Sequence, residues 1–168
     1  MTVAERPVLV LIGAPGAGKS RIGKRVARLL DLPFVDTDKR IVAAHGAITA
    51  IFEQHGEPHF RVIEREQVRQ ALTENAVVSL GGGSVLNADT QAELAPLRVV
   101  QLTVSPDAIV GRNLSNRPLL VGGLESWKAL VAERAPLYDL LADATFDTTA
   151  IPAERVADDI VRWLGEDV

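Results

Sequence analysis

The sequence predicts an α/β fold in which a parallel sheet is covered by helices on both faces. Three observations carry that expectation. Short apolar runs of strand length alternate with stretches of helical periodicity along the chain. A glycine-rich turn separates the first apolar run from the first helical pattern. Polar clusters follow three of the apolar runs, the position outside the carboxyl ends of strands where open α/β sheets bind ligands.

The first run, Val8-Leu9-Val10-Leu11-Ile12, is apolar throughout, as a strand covered on both faces must be. Ile22, Val26, Leu29 and Leu30 then recur at helical spacing, which predicts a helix over 19–30. Further strands are expected at 33–35, 77–80, 99–103 and 145–146, and further helices at 59–75, 89–95, 107–113, 125–141 and 153–164. Asn87 or Asp89 suits the N-cap of the 89–95 helix, and Pro152 suits the first turn of the last one. Arg134 precedes Ala135-Pro136, where a helix should kink or end because proline lacks the N–H. Two segments break the alternation. Residues 37–58 hold short helical pieces interrupted by Gly46, Gly56 and Pro58. Residues 114–124 carry Pro118, Gly122, Gly123 and a lone Arg117. Insertions of this kind on a rigid scaffold suit substrate binding and lid closure.

A chain of 168 residues suits one domain, and 47% hydrophobic with 24% charged residues is a globular composition. The net charge of −4 argues against a general affinity for nucleic acid or anionic membrane. The absence of cysteine excludes disulfides, thiolate metal sites and a cysteine nucleophile. His45, His55 and His59 lack the spacing of a zinc site. No apolar stretch reaches the ~18 residues of a membrane span, and no secretory leader is evident, so a cytoplasmic protein is expected.

Gly13-Ala14-Pro15-Gly16-Ala17-Gly18-Lys19-Ser20 fits G-x-x-x-x-G-K-[ST], the phosphate-binding P-loop. Glycines let backbone N–H groups surround phosphate oxygens at a helix N-terminus. Lys19 would reach the β- and γ-phosphates, and the Ser20 hydroxyl would ligate Mg²⁺. Asp36-Thr37-Asp38 follows the second expected strand. Its two carboxylates at a strand end could divide the work, one toward Mg²⁺ and one toward an acceptor hydroxyl, while helix capping is the other reading. Gly81-Gly82-Gly83 reads either as a flexible turn or as bare backbone that admits a substrate closely. Arg61, Glu64 and Arg65 share a helix face, for which spacing alone favours a solvated salt bridge. Arg112 and Arg117 flank or sit in the expected lid, either as loop charges or as groups that close over phosphates.

With these residues assembled, the chain resembles the shikimate kinase family of small P-loop metabolite kinases over nearly its whole length. The resemblance rests on the P-loop, Asp36-Thr37-Asp38, Phe60-Arg61-Val62-Ile63-Glu64, Leu80-Gly81-Gly82-Gly83, Arg117-Pro118-Leu119-Leu120 and Arg134-Ala135-Pro136-Leu137-Tyr138. It implies a P-loop NTPase three-layer α/β/α sandwich of the nucleoside-monophosphate-kinase type, with a five-stranded parallel sheet in the order 2-3-1-4-5. One domain over 1–168 would carry a substrate-binding insertion at about 37–64 and a lid at about 113–124. The implied reaction passes the γ-phosphoryl of ATP to the 3-hydroxyl of shikimate, in a cytoplasmic monomer of aromatic amino-acid biosynthesis.

Carried over by position, Arg61 and Arg134 hold the shikimate carboxylate, and Asp38 orients the attacking hydroxyl. Gly82 and Gly83 line that pocket. Lys19, Asp38 and Arg117 form the catalytic set. Gly16, Ala17, Gly18, Lys19, Ser20, Arg21, Arg112, Arg117 and Pro152 bind the nucleotide. Ser20, and Asp36 through water, hold Mg²⁺. Arg21 replaces the threonine usual in the family, and the stretch between Arg112 and Arg117 is short. The competing expectations are a related kinase for gluconate or nucleoside monophosphates, and a nucleotide-binding switch without phosphotransfer.

Overall fold

The computed structural model describes residues 4–112 and 122–166. In chain order the strands are β1 (Leu9–Gly13), β2 (Phe34–Asp36), β3 (Val77–Ser79), β4 (Val99–Thr103) and β5 (Ala144–Asp147). The helices are α1 (Lys19–Leu29), α2 (Thr37–His45), α3 (Ile48–His55), α4 (Glu57–Ala71), α5 (Ala88–Leu94), α6 (Pro106–Ile109), α7 (Leu124–Leu141) and α8 (Ala153–Glu166), with a 3₁₀ turn at Ser84–Leu86. The strands form one parallel sheet in the order β2-β3-β1-β4-β5, as expected.

Strand periodicity explains both layers. Along β1, Leu9 and Leu11 join one buried cluster with Val77, Val100 and Leu102. Ile22 and Val26 of α1, Trp127 of α7, and Val156 and Ile160 of α8 complete it. Val10 and Ile12 point the other way, onto Val78, Leu80, Val99, Val68, Leu94 and Tyr138. Alternate side chains of one strand thus supply two cores, which is why β1 is apolar at every position. A third, smaller cluster of Ile41, Ile51 and Phe60 ties α2, α3 and α4 together, with the Phe52 ring tilted against Phe60 at 4.9 Å between ring centroids.

Several local expectations shift. Asn87, not Asp89, caps α5, accepting from the Asp89 and Thr90 amides. Pro58 opens α4 instead of breaking it, since a proline in the first turn leaves no N–H to satisfy. Pro152 stands just before α8, where its carbonyl accepts from Arg155 and Val156. The helix expected at 125–141 is present, and Pro136 does not end it. α7 runs on to Leu141, because Trp127, Arg134 and Tyr138 are buried along it and that burial outweighs one lost backbone bond. The helix expected at 107–113 is the single turn Pro106–Ile109, and residue 113 lies outside the described residues.

The sheet order reverses at β1, whose neighbours β3 and β4 lead in opposite directions. The crevice at the carboxyl ends of β1, β2 and β3 is therefore the expected ligand position.

Candidate functional site

The P-loop occupies that crevice. Gly13 adopts φ 140°, and a Cβ there would overlap the Leu102 carbonyl of β4, so only glycine fits. Gly18 caps α1 at φ 102° with no side-chain hydrogen bond, which leaves the first amides of α1 facing the crevice. Lys19 Nζ folds back to donate to the Gly13 carbonyl at 2.8 Å and to the Ala14 carbonyl at 3.1 Å. Ser20 Oγ donates to Asp36 Oδ2 at 2.5 Å. The other oxygen of Asp36 accepts from the Lys39 amide at 3.2 Å and so caps α2. The capping reading of this residue is thus present, on a carboxylate whose second oxygen also accepts from a P-loop hydroxyl. Asp38 does not continue the strand spacing: it stands in the first turn of α2, because β2 ends at Asp36.

The triple glycine is a wall with a different side chain against each residue. A Cβ on Gly81 would come within 2.6 Å of Asp38 Oδ1. One on Gly82 would lie 3.2 Å from Arg134 Nη1 and 3.4 Å from Tyr138 Oη, and one on Gly83 would overlap the Arg61 guanidinium. Tyr138 Oη donates to the Gly82 carbonyl at 2.6 Å. Burial pushes that phenol up, against the opposing pull of Arg134. Arg61 donates to Glu64 Oε1 at 2.8 Å and to Glu57 Oε1 at 3.1 Å. Burial pushes the Glu64 carboxyl up, the Arg61 charge and hydrogen bond oppose this, and the Asp38 charge adds to it.

Most of these groups line one cleft of about 690 Å³. Gly16, Gly18, Lys19, Ser20, Arg21, Asp36 and Arg112 line one part of it, and Asp38, Arg61, Gly82, Gly83 and Arg134 line another. Six basic side chains face three carboxylates there, in a chain of net charge −4. Such a cleft concentrates positive potential where a polyanion would sit. Val42, Ala47, Ile48, Phe52 and Phe60 give it an apolar side.

Of the remaining expected residues, Ala17 is buried beneath the loop, and Pro152 is exposed at the start of α8 outside the lining of this cleft. Arg117, with residues 113–121 of the expected lid, lies outside the described residues. Arg112 donates to the Gly16 carbonyl at 2.5 Å and to the Thr148 carbonyl at 3.2 Å. Sequence reasoning missed Trp127 and Thr148, which bond the P-loop from behind. It also left Glu64 and Tyr138 without roles, although both stand in the quoted motifs.

A family model described as shikimate kinase matches residues 15–165. The chain belongs to the shikimate kinase family. A shikimate kinase of Thermobifida fusca is 42% identical over 167 residues, covering 96% of this chain and 97% of that one. Among solved structures, a shikimate kinase from Acinetobacter baumannii in complex with shikimate superposes with a TM-score of 0.90 at 30% identity, covering 97% of this chain and 94% of that one. A gluconokinase from Sinorhizobium meliloti, at 16% identity and a TM-score of 0.64 over 98% of this chain and 94% of that one, shares the fold alone. Within the shikimate kinase family, the cleft's combination of a P-loop with Asp38, Arg61 and Arg134 is the candidate active site.

Proposed function

We propose that this chain transfers the γ-phosphoryl group of ATP to the 3-hydroxyl of shikimate, giving shikimate 3-phosphate and ADP. The observation that carries the reading is the placement of Arg61 and Arg134 against consecutive glycines of one cleft, with Asp38 on the third. Guanidinium groups match carboxylates in bidentate geometry, and two of them in one pocket repel unless an anion lies between. An acceptor bearing both a carboxylate and hydroxyls matches all three side chains, whereas a neutral sugar brings no charge to set between the two guanidinium groups.

The roles follow from position. Lys19 leaves the Gly13 and Ala14 carbonyls to hold the β- and γ-phosphates, around which the loop segment Gly16-Ala17-Gly18 wraps with the Gly16 and Gly18 amides inward. Arg61 and Arg134 grip the acceptor carboxylate while the backbone of Gly82 and Gly83 admits the ring closely. Asp38 orients the attacking hydroxyl and takes its proton as the oxygen bonds to the γ-phosphorus and the bond to ADP breaks. Arg117 stabilises the transferring group from the lid, and Arg21, Arg112 and Pro152 flank the nucleotide. Ser20 Oγ and Asp36 Oδ2 are paired oxygens with one carboxylate between them. That donor set suits Mg²⁺, which keeps several waters and takes its other ligands from phosphates. Ser20 and, through water, Asp36 would hold the ion, whose charge neutralises the phosphate oxygens. The working unit is one domain over 1–168, with the insertion at about 37–64 and the lid at about 113–124, acting as a cytoplasmic monomer. Among the described residues no helix is long and apolar enough to cross a membrane.

ADP release with Mg²⁺-ATP tests the reading, comparing shikimate, gluconate, nucleoside monophosphates and no acceptor. A rate dependent on shikimate is expected. A rate dependent on another acceptor would select that kinase instead, and ATP binding without acceptor-dependent ADP would leave a nucleotide-binding switch.

A further inference from the structure

The carbonyl oxygens of the P-loop are held from outside by side chains of distant elements. Trp127 Nε1 donates to the Pro15 carbonyl at 2.9 Å, and Thr148 Oγ1 donates to the Ala17 carbonyl at 2.7 Å. Thr148 Oγ1 also lies 3.1 Å from the Thr103 carbonyl, but that oxygen already accepts from the Thr148 amide at 2.8 Å. The single hydroxyl proton goes to the nearer acceptor, the Ala17 carbonyl. Trp127 and Thr148 are both buried, so neither bond is contested by solvent.

In a planar trans peptide the C=O and the following N–H point in opposite directions. Fixing the Pro15 carbonyl outward turns the Gly16 N–H inward, and fixing the Ala17 carbonyl outward turns the Gly18 N–H inward. Gly16 and Gly18 both line the cleft. The intervening Gly16 carbonyl is held by Arg112, but its peptide partner, the Ala17 N–H, is already used within the turn on the Ala14 carbonyl. The two latches that aim cleft-lining amides are thus Trp127 and Thr148. Glycines at these positions make the aiming necessary, because their backbone otherwise samples conformations closed to other residues.

We propose that Trp127 and Thr148 are positioning residues of the nucleotide site, pre-aiming the Gly16 and Gly18 amides at the phosphates without touching either substrate. The proposal deepens the kinase reading and rests on nucleotide binding at the P-loop. Without a latch the loop is competent only part of the time, and apparent affinity falls by that fraction. The effect is selective, since Asp38 and Arg61 stand on α2 and α4, and Arg134, although it shares α7 with Trp127, lies about two turns further along it.

Calorimetric titration with Mg²⁺-ADP and, separately, shikimate tests it on the wild type, Trp127→Phe, Thr148→Val and Thr148→Ser, with thermal unfolding of each. Trp127→Phe and Thr148→Val are expected to raise the Mg²⁺-ADP Kd about tenfold, the change given by a competent fraction of about one-tenth. The shikimate Kd stays within about twofold. Thr148→Ser keeps the hydroxyl and restores nucleotide affinity. Wild-type nucleotide affinity in both Trp127→Phe and Thr148→Val would overturn the proposal. So would equal losses for both ligands, which would mark a general packing role. If the wild type itself bound no Mg²⁺-ADP, the kinase reading would fail first.

Discussion

Gly83 and Arg61 are packed so closely that the backbone of one leaves no room for a methyl group beneath the guanidinium of the other. Arg61 is held from its remaining sides by Glu64 and Glu57, one before and one after it on α4. The guanidinium is therefore placed by three groups at once, two of them charged. Gly83→Ala pushes the far end of a flexible side chain, so the fold absorbs the change while the arginine moves. The expected result is an unfolding temperature close to wild type with a shikimate KM raised about tenfold, the scale of one charge-assisted hydrogen bond. Steady-state kinetics beside thermal unfolding checks it. A large loss of stability with an unchanged KM would refute this account.

Arg61→Lys separates charge from shape. Lysine keeps the positive charge but not the planar fork that matches a carboxylate and bridges Glu57 and Glu64. Arg61→Lys is expected to raise the shikimate KM on the order of tenfold and Arg61→Ala further, with the ATP KM nearly unchanged in both. Equal kinetics for the lysine variant and the wild type would show that the fork is not used.

The strand order and the pocket role of the triple glycine came only with the family resemblance, while the P-loop and the doubly covered first strand were legible in the sequence for a common reason. Each is a place where only certain residues fit: glycine where a Cβ would strike the Leu102 carbonyl, and apolar residues where β1 feeds two cores. Arg61 was less legible. Its spacing to Glu64 also describes a solvated pair, and only the approach of Gly83 from 22 positions along the chain distinguishes the two. Trp127 and Thr148 were not legible, since their partners are backbone carbonyls 112 and 131 positions away. Every residue carries a carbonyl, so no pattern of side chains announces such a bond. At Pro136 the local rule stood against the helical periodicity of 125–141, and burial of Arg134 and Tyr138 on either side decides for the periodicity.

Ala47 is an unused opportunity in the insertion. It occupies the N-cap of α3 with extended backbone angles, φ −57° and ψ 134°, yet offers no side chain to the helix amides. Ala47→Ser supplies an oxygen for one of them. Caps of this kind contribute about 1 kcal/mol, which in a chain of this size raises Tm by roughly 2–4 °C. Thermal unfolding checks the prediction, and an unchanged or lowered Tm would refute it.

Glu64 is expected to link acceptor binding to pH through its bond to Arg61. Burial holds its carboxyl above the ordinary glutamate value of 4.5, although Arg61 pulls the other way. Between that value and the raised one, the folded chain keeps the proton while the unfolded chain has lost it. Stability contributed at this site therefore falls as pH rises through the window and is level on either side. Acceptor binding runs in the opposite direction. A protonated Glu64 no longer offers a full negative charge to Arg61, so the guanidinium loses its nearest anchor at the acid end and regains it as Glu64 ionises. Stability and acceptor affinity should thus change in opposite senses over the same pH range. Glu64→Gln abolishes both slopes, and subtracting its profiles from the wild type's removes the titration of the other carboxylates. Measuring Tm and shikimate KM against pH for both proteins checks this. Parallel slopes, or slopes that survive in Glu64→Gln, would place the titrating group elsewhere.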